Sequence, residues 1–239
     1  MNVTIVDNLE QLYKEAADQF VDLAKEAIQE KGSFVVALSG GSSPKAIFKL
    51  LATRDYAERI DWKNICFFWV DERWVPLDDE KSNAKMTYDT LLDLVPVDKN
   101  KIFPMFKEGI SPEDYAAEYE NEIRNILGEE GRFDFILLGM GDDGHTASLF
   151  PGEQILAEKT KWVDAYYLRS QEMFRITLTA PLINRAEYIL VITFGESKKH
   201  ALDEVLNGAY NPQLYPLQLI KPEKRELQFL TDSATLKSV

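Results

Sequence analysis

The chain of 239 residues has one cysteine, two histidines and a shortage of positive charge. A single cysteine excludes an intramolecular disulfide and a cysteine-based zinc site. That residue, Cys66, lies inside the apolar run 65–70, which implies a buried, inert thiol rather than a nucleophile. With 27 Lys and Arg against 40 Asp and Glu, the formal net charge is −13. Nucleic acid and anionic membranes need a basic face and are excluded as partners. A small phosphorylated ligand is compatible, because a few cations and backbone amides can hold one inside an acidic protein. No apolar run is long enough to span a bilayer, and the start of the chain has no basic-then-apolar signal pattern. A cytoplasmic protein is expected. Internal repeats, low-complexity tracts and long linkers are also missing, so one domain over residues 1–239 is expected.

What is present is apolar sequence in short blocks. Runs 33–38, 65–70, 133–138 and 188–194 are nearly all apolar, as in parallel strands covered on both faces. Segments 9–28, 45–51, 83–92, 114–127 and 197–206 read as helices. Gly32 follows the first of these as a stop signal, and Pro44 stands at the first turn of the second. Segments 162–167, 174–179 and about 227–230 read as further strands. The first of these is less uniformly apolar, which suits an antiparallel or edge position. Alternation of strand and helix predicts a mainly parallel α/β fold.

Chemistry-bearing residues concentrate just after the apolar runs. The longest cluster is Gly139-Met140-Gly141-Asp142-Asp143-Gly144-His145-Thr146-Ala147-Ser148-Leu149-Phe150-Pro151-Gly152. A strand emptying into a glycine-rich loop places that loop at the carboxyl edge of a sheet, where open α/β sheets bind ligands. Within it, His145 is the natural general base, since its ordinary pKa lies near neutrality, and Asp143 is the nearest group able to orient it. Ser39-Gly40-Gly41-Ser42-Ser43-Pro44 joins a strand to a helix start and reads either as an anion site or as a serine-capped turn. Asp71-Glu72-Arg73 follows another strand. There Arg73 suits an anionic ligand or a developing oxyanion, or else pairs with Asp71 or Glu72. Arg175, in an alternating strand, and Lys198, at a helix start, are solvated charges or cations for an anion held nearby. His200 reads as an exposed residue.

Together Ser39 to Pro44, Asp71-Glu72-Arg73, Ser82-Asn83, the Gly139 to Gly152 loop, Arg175-Ile176-Thr177-Leu178-Thr179 and Gly195-Glu196-Ser197-Lys198 resemble the 6-phosphogluconolactonase family. The correspondence runs in order from about residue 33 to residue 206. It implies a modified doubly wound, mainly parallel sheet flanked by helices, with the site above the strand ends. The implied reaction is hydrolysis of 6-phospho-D-glucono-1,5-lactone to 6-phosphogluconate in the oxidative pentose phosphate pathway, with no metal and no organic cofactor. His145, Asp143 and Arg73 are the implied catalytic residues. Gly40, Gly41, Ser42, Ser43, Arg175 and Lys198 are the implied substrate and phosphate ligands. The resemblance permits a monomer or a homodimer.

Two alternatives use the same superfamily fold. Glucosamine-6-phosphate deaminase has a related loop resembling Asp-Gly-His-Ile-Ala-Phe-Asn-Glu-Pro, whose glutamate works in ring opening. Here Phe150 occupies that glutamate position and Arg73 stands where the deaminase usually has tyrosine, both favouring the lactonase. A non-catalytic sugar-phosphate-binding protein would not need Asp143 and His145.

Overall fold

In the computed structural model, which describes residues 1–236, the chain builds two sheets. Strands β1 (Asn2–Val6), β2 (Phe34–Leu38), β3 (Ile65–Trp69), β5 (Phe135–Gly139), β8 (Ile189–Ile192) and β9 (Gln228–Asp232) form the larger, in the order β1-β9-β8-β5-β2-β3. Every pairing in it is parallel. The smaller sheet is antiparallel, in the order β4-β7-β6, from β4 (Asp71–Arg73), β6 (Val163–Leu168) and β7 (Met173–Leu178). The mainly parallel α/β reading is borne out, and 162–167 is indeed antiparallel and at an edge.

Helices α1 (Leu9–Lys31), α2 (Ser42–Leu51), α3 (Arg54–Ala57), α4 (Asn83–Thr87), α5 (Pro112–Leu127), α6 (Ala180–Ile183) and α7 (Lys199–Asn207) connect the strands. Helix α4 continues as a π turn through Leu92. Helix α1 starts where Asn8 accepts the Gln11 N–H at 2.9 Å, and it ends at Gly32, whose φ of +79° suits a residue without Cβ. All residues of β2, β3 and β8 are buried, which explains why these strands lack the polar alternation of a half-exposed sheet. Phe20, Phe34 and Phe135 meet edge-on or stacked where α1 covers the sheet, and truncating Phe34 would cost about 3–5 kcal/mol.

From β2 the strand order runs to β3 on one side and through β5 to β8 and β9 on the other. The carboxyl ends of β2 and β5 therefore flank a topological switch point, where a crevice opens. Beyond β3, Val70 bridges the two sheets. Its N–H donates to Leu38 and its carbonyl accepts from Leu178. The chain thus passes directly into β4, so Asp71-Glu72-Arg73 is a short strand rather than a loop. No helix among the described residues is long and apolar enough to cross a membrane.

Candidate active site

Three connections converge on a cleft of about 360 Å³ at the switch point. That is enough room for a small sugar phosphate. The first is the turn after β2. Ser39 donates its hydroxyl to the Leu137 carbonyl at 2.8 Å, tying the ends of β2 and β5 together. Gly41, at φ +108° and ψ 176°, adopts a conformation open essentially to glycine alone, and it is the N-cap of α2 with no side-chain cap bond. The serine-capped alternative is thus not what forms. The first helical bond runs from Lys45 N–H to Gly41, so the N–H groups of Ser42 and Ser43 at the helix start have no acceptor within α2.

The second connection is the loop after β5, a tight coil. Gly141 N–H donates to His145 O at 2.8 Å and Gly144 N–H to Gly141 O at 3.1 Å. Asp143 Oδ1 accepts the His145 backbone N–H at 3.0 Å and lies 2.6 Å from His145 Nδ1. That contact keeps a proton on Nδ1 and leaves Nε2 as the ring's free base. Burial raises the Asp143 pKa, but the hydrogen bonds and charge of His145 outweigh it and hold the carboxyl below its ordinary value. The imidazole is stacked on Phe150 with ring centroids 4.1 Å apart, so one face of the ring is covered while Asp143 holds its Nδ1 edge. Ala147, a non-glycine residue at φ +49°, marks local strain in the same loop.

Residues 208–220, from which sequence gave no mechanistic signal, brace this loop from outside. Gln213 and Leu217 bond to Gly152 and Gly144, and Tyr215 packs on Gly144. His200 is exposed, as expected, and meets the Tyr215 hydroxyl at 3.2 Å.

The third wall is β4 with β7. Arg73 and Arg175 are direct cross-strand partners, an arrangement of like charges that costs stability unless something anionic offsets it. Arg73 donates to the Lys81 carbonyl at 2.7 Å and makes no salt bridge to Asp71 or Glu72. Arg175 is 3% exposed, bonds Gln171, and stands 3.8 Å from Asp71. Burial lowers its pKa from the ordinary arginine value, with Asp71 opposing. Among the described residues, three buried side-chain polar atoms have no hydrogen-bond partner: Arg73 Nε, Arg175 Nε and Thr193 Oγ1. All three belong to residues lining this cleft. Buried donors of this kind are rare and costly unless a ligand completes them.

His145, Arg73, Gly40, Gly41, Ser42, Ser43, Arg175 and Lys198 all line the cleft, whereas Asp143 does not and touches His145 from behind it. Lys198 is held by Asp142, 2.5 Å away, so the anion beside this lysine is a carboxylate of the protein itself. Sequence reasoning assigned no site role to Asp71, Asn83, Gln171 or Thr193, which also line the cleft. Asp71 and Asn83 stood inside quoted motifs, while Gln171 and Thr193 carried no local signal. Glu72 is fully buried behind the wall, where Arg73 N–H, Asn83 N–H, Ala84 N–H and Ser82 Oγ–H all donate to it at 2.8–3.0 Å. Burial nevertheless pushes its carboxyl up to about 7, against the N–H groups that lower it. No cluster of three or more His, Cys, Asp or Glu side chains among the described residues could hold a metal ion.

The family of glucosamine-6-phosphate isomerases/6-phosphogluconolactonase matches residues 7–229. This chain belongs to that family. It is 40% identical over 210 residues to the 6-phosphogluconolactonase of Synechocystis, covering 86% of this chain and 85% of that protein. A crystal structure of devB protein superposes with a TM-score of 0.89 at 30% identity, covering 98% and 97% of the two chains. A monomeric glucosamine-6-phosphate deaminase superposes with a TM-score of 0.84 over 98% of both chains, but at 22% identity this likeness shows the fold alone.

Proposed function

We propose that the cleft hydrolyses 6-phospho-D-glucono-1,5-lactone to 6-phospho-D-gluconate, the lactonase step of the oxidative pentose phosphate pathway. One observation carries this reading: an imidazole oriented by Asp143, with Nε2 unengaged, shares a cleft with two arginines whose buried Nε atoms lack acceptors. In the reaction, Nε2 of His145 takes a proton from a water molecule as its oxygen bonds to C1. Charge then develops on the carbonyl oxygen, where the Arg73 guanidinium stabilises it. The bond from C1 to the ring oxygen breaks, and the imidazolium returns the proton to that oxygen. The phosphate is held by the N–H groups of Ser42 and Ser43 at the start of α2, below the bare turn of Gly40 and Gly41, with Arg175 and Lys198 supplying charge. Holding the phosphate fixes C1 against His145, so remote binding serves the chemistry.

The deaminase alternative is disfavoured by Phe150. Its ring is the surface on which His145 stacks, and it can neither accept nor donate a proton. A cytoplasmic setting and a monomeric or homodimeric state accompany the reading, and both are checked by fractionation and light scattering. The deciding experiment assays purified protein on fresh 6-phosphogluconolactone, following acid release above the spontaneous rate, and on glucosamine 6-phosphate, following ammonia release. Acid release alone is expected, falling about 10²–10⁴-fold in His145→Ala. Ammonia release, or full activity in that variant, overturns the assignment.

A further inference from the structure

Asn83 opens α4, and its backbone is fixed by the Glu72 carboxylate, which accepts from Ser82, Asn83 and Ala84 in turn. Its side chain is fixed as well. Nδ2 donates to the Asp71 carbonyl at 2.9 Å and lies 3.4 Å from Asp71 Oδ1. With the amide nitrogen committed there, Oδ1 faces the other way, onto Gly40. A Cβ on residue 40 would overlap Oδ1, Cγ and Nδ2 of Asn83, so the turn after β2 is bare where the carboxamide rests. Asn83 is only 3% exposed and lines the cleft, yet among the described residues nothing donates to its Oδ1.

A packing role would not need that oxygen, and the bond to Asp71 uses only the nitrogen. The surrounding walls are rich in donors: Arg73, Arg175, Lys198 and the first N–H groups of α2. Such groups suit the phosphate and the oxyanion, but they cannot accept from the hydroxyls of the sugar ring. The carboxylate that lines the cleft, that of Asp71, already takes the Ser148 hydroxyl at 2.7 Å on Oδ2.

We infer that Asn83 Oδ1 accepts a hydrogen bond from one ring hydroxyl of the substrate, with Gly40 kept bare to admit the carboxamide. Asn83 is then a specificity-determining residue that separates a hydroxylated sugar lactone from a deoxy analogue. The inference rests on the lactonase reading given above.

The test measures kcat/KM on 6-phosphogluconolactone and its 2-, 3- and 4-deoxy counterparts, each made by oxidising the corresponding deoxyglucose 6-phosphate. Wild type is expected to lose about tenfold on one of the three deoxy lactones, the size of a single hydrogen bond. Asn83→Ala should lose about tenfold on the parent lactone and be indistinguishable from wild type on that one deoxy lactone. A melting curve checks that the variant is folded. Should it fail to fold, Asn83→Ser, which keeps the backbone bonds of residue 83 and whose hydroxyl stops an atom short of the Oδ1 position, is expected to give the same pattern. An equal loss on all four lactones, or no loss on any, overturns the inference while leaving the lactonase reading intact. Wild type inactive on the parent lactone overturns both.

Discussion

Replacing Gly141 by alanine is expected to remove most activity while leaving the protein folded. The added Cβ would fall on Nδ1 and Cε1 of the His145 ring and 2.6 Å from Asp143 Oδ1, so ring and methyl cannot share that space. Gly141 is not among the residues with positive φ, and alanine fits its backbone without strain. Its N–H bond to His145 O and its carbonyl bond from Gly144 both survive the change. Alanine also reduces the freedom of the unfolded chain, which contributes about 0.4–1 kcal/mol in favour of folding.

What must give is the imidazole, which is partly exposed and free to swing off Asp143 and Phe150. The Asp143–His145 contact is of the charge-assisted kind once the ring is protonated, typically about 1.5–3 kcal/mol. Its loss corresponds to about 10- to 150-fold in kcat. A base displaced by about 1 Å costs a similar factor of about 10². The assay is acid release above the spontaneous rate, giving kcat and KM separately, beside a thermal melt of the same preparation. We expect kcat down about 100-fold with KM little changed and a melting temperature within a few degrees of wild type. A folded Gly141→Ala protein with kcat within about threefold of wild type would falsify the claim that Asp143 and Phe150 hold the base in its working position.

The remaining expectations follow from the charged groups. Lys198→Ala should raise KM about tenfold with a small change in kcat, the scale of one charge-assisted contact; an unchanged KM removes Lys198 from the phosphate site. Arg175→Ala should lower kcat/KM about 10- to 100-fold and also lower the melting temperature, since it strips a buried partner from Asp71. Loss of stability without loss of kcat/KM would make Arg175 purely structural. Unphosphorylated gluconolactone should be a poorer substrate by about 100-fold or more, and equal efficiency would dismiss the phosphate contacts altogether. Glu72 gives a pH test. With its carboxyl raised from 4.5 to about 7, the folded protein keeps a proton that the unfolded chain has already released in that range. Its contribution is therefore complete below about pH 4.5 and is lost as the pH rises towards 7, a change of about 3 kcal/mol. The difference in unfolding free energy between wild type and Glu72→Gln should be larger at pH 5 than at pH 7.5; the same difference at both would mean that Glu72 does not titrate there.

The central strands were legible because a strand covered on both faces must be apolar throughout, and β2, β3, β5 and β8 advertise that condition residue by residue. Strand β1 was not. Asn2–Val6 is mostly exposed, and it becomes a strand only through pairing with β9, some 226 residues away along the chain. Strand β4 was hidden for a related reason: Asp71-Glu72-Arg73 has the composition of a loop, and only the backbone of β7 makes it a strand. The Gly139–Gly152 loop declared itself by glycine content and by His145, since tight turns and a near-neutral base are properties of residue type.

Sequence by itself thus determined which segments form buried strands and which loops could carry chemistry, because an apolar run and the ordinary pKa of a residue type are local properties. Only the tertiary structure decided which side chains meet. Arg73 stands opposite Arg175 because two distant strands pair in one register. Asn83 lies on Gly40 because a buried carboxylate from β4 fixes the start of α4. Thr193 and Gln171 face the same cleft because the strand order brings their separate loops to one edge. Such contacts depend on the positions of backbones far apart in the chain, and no short-range spacing of residues records them.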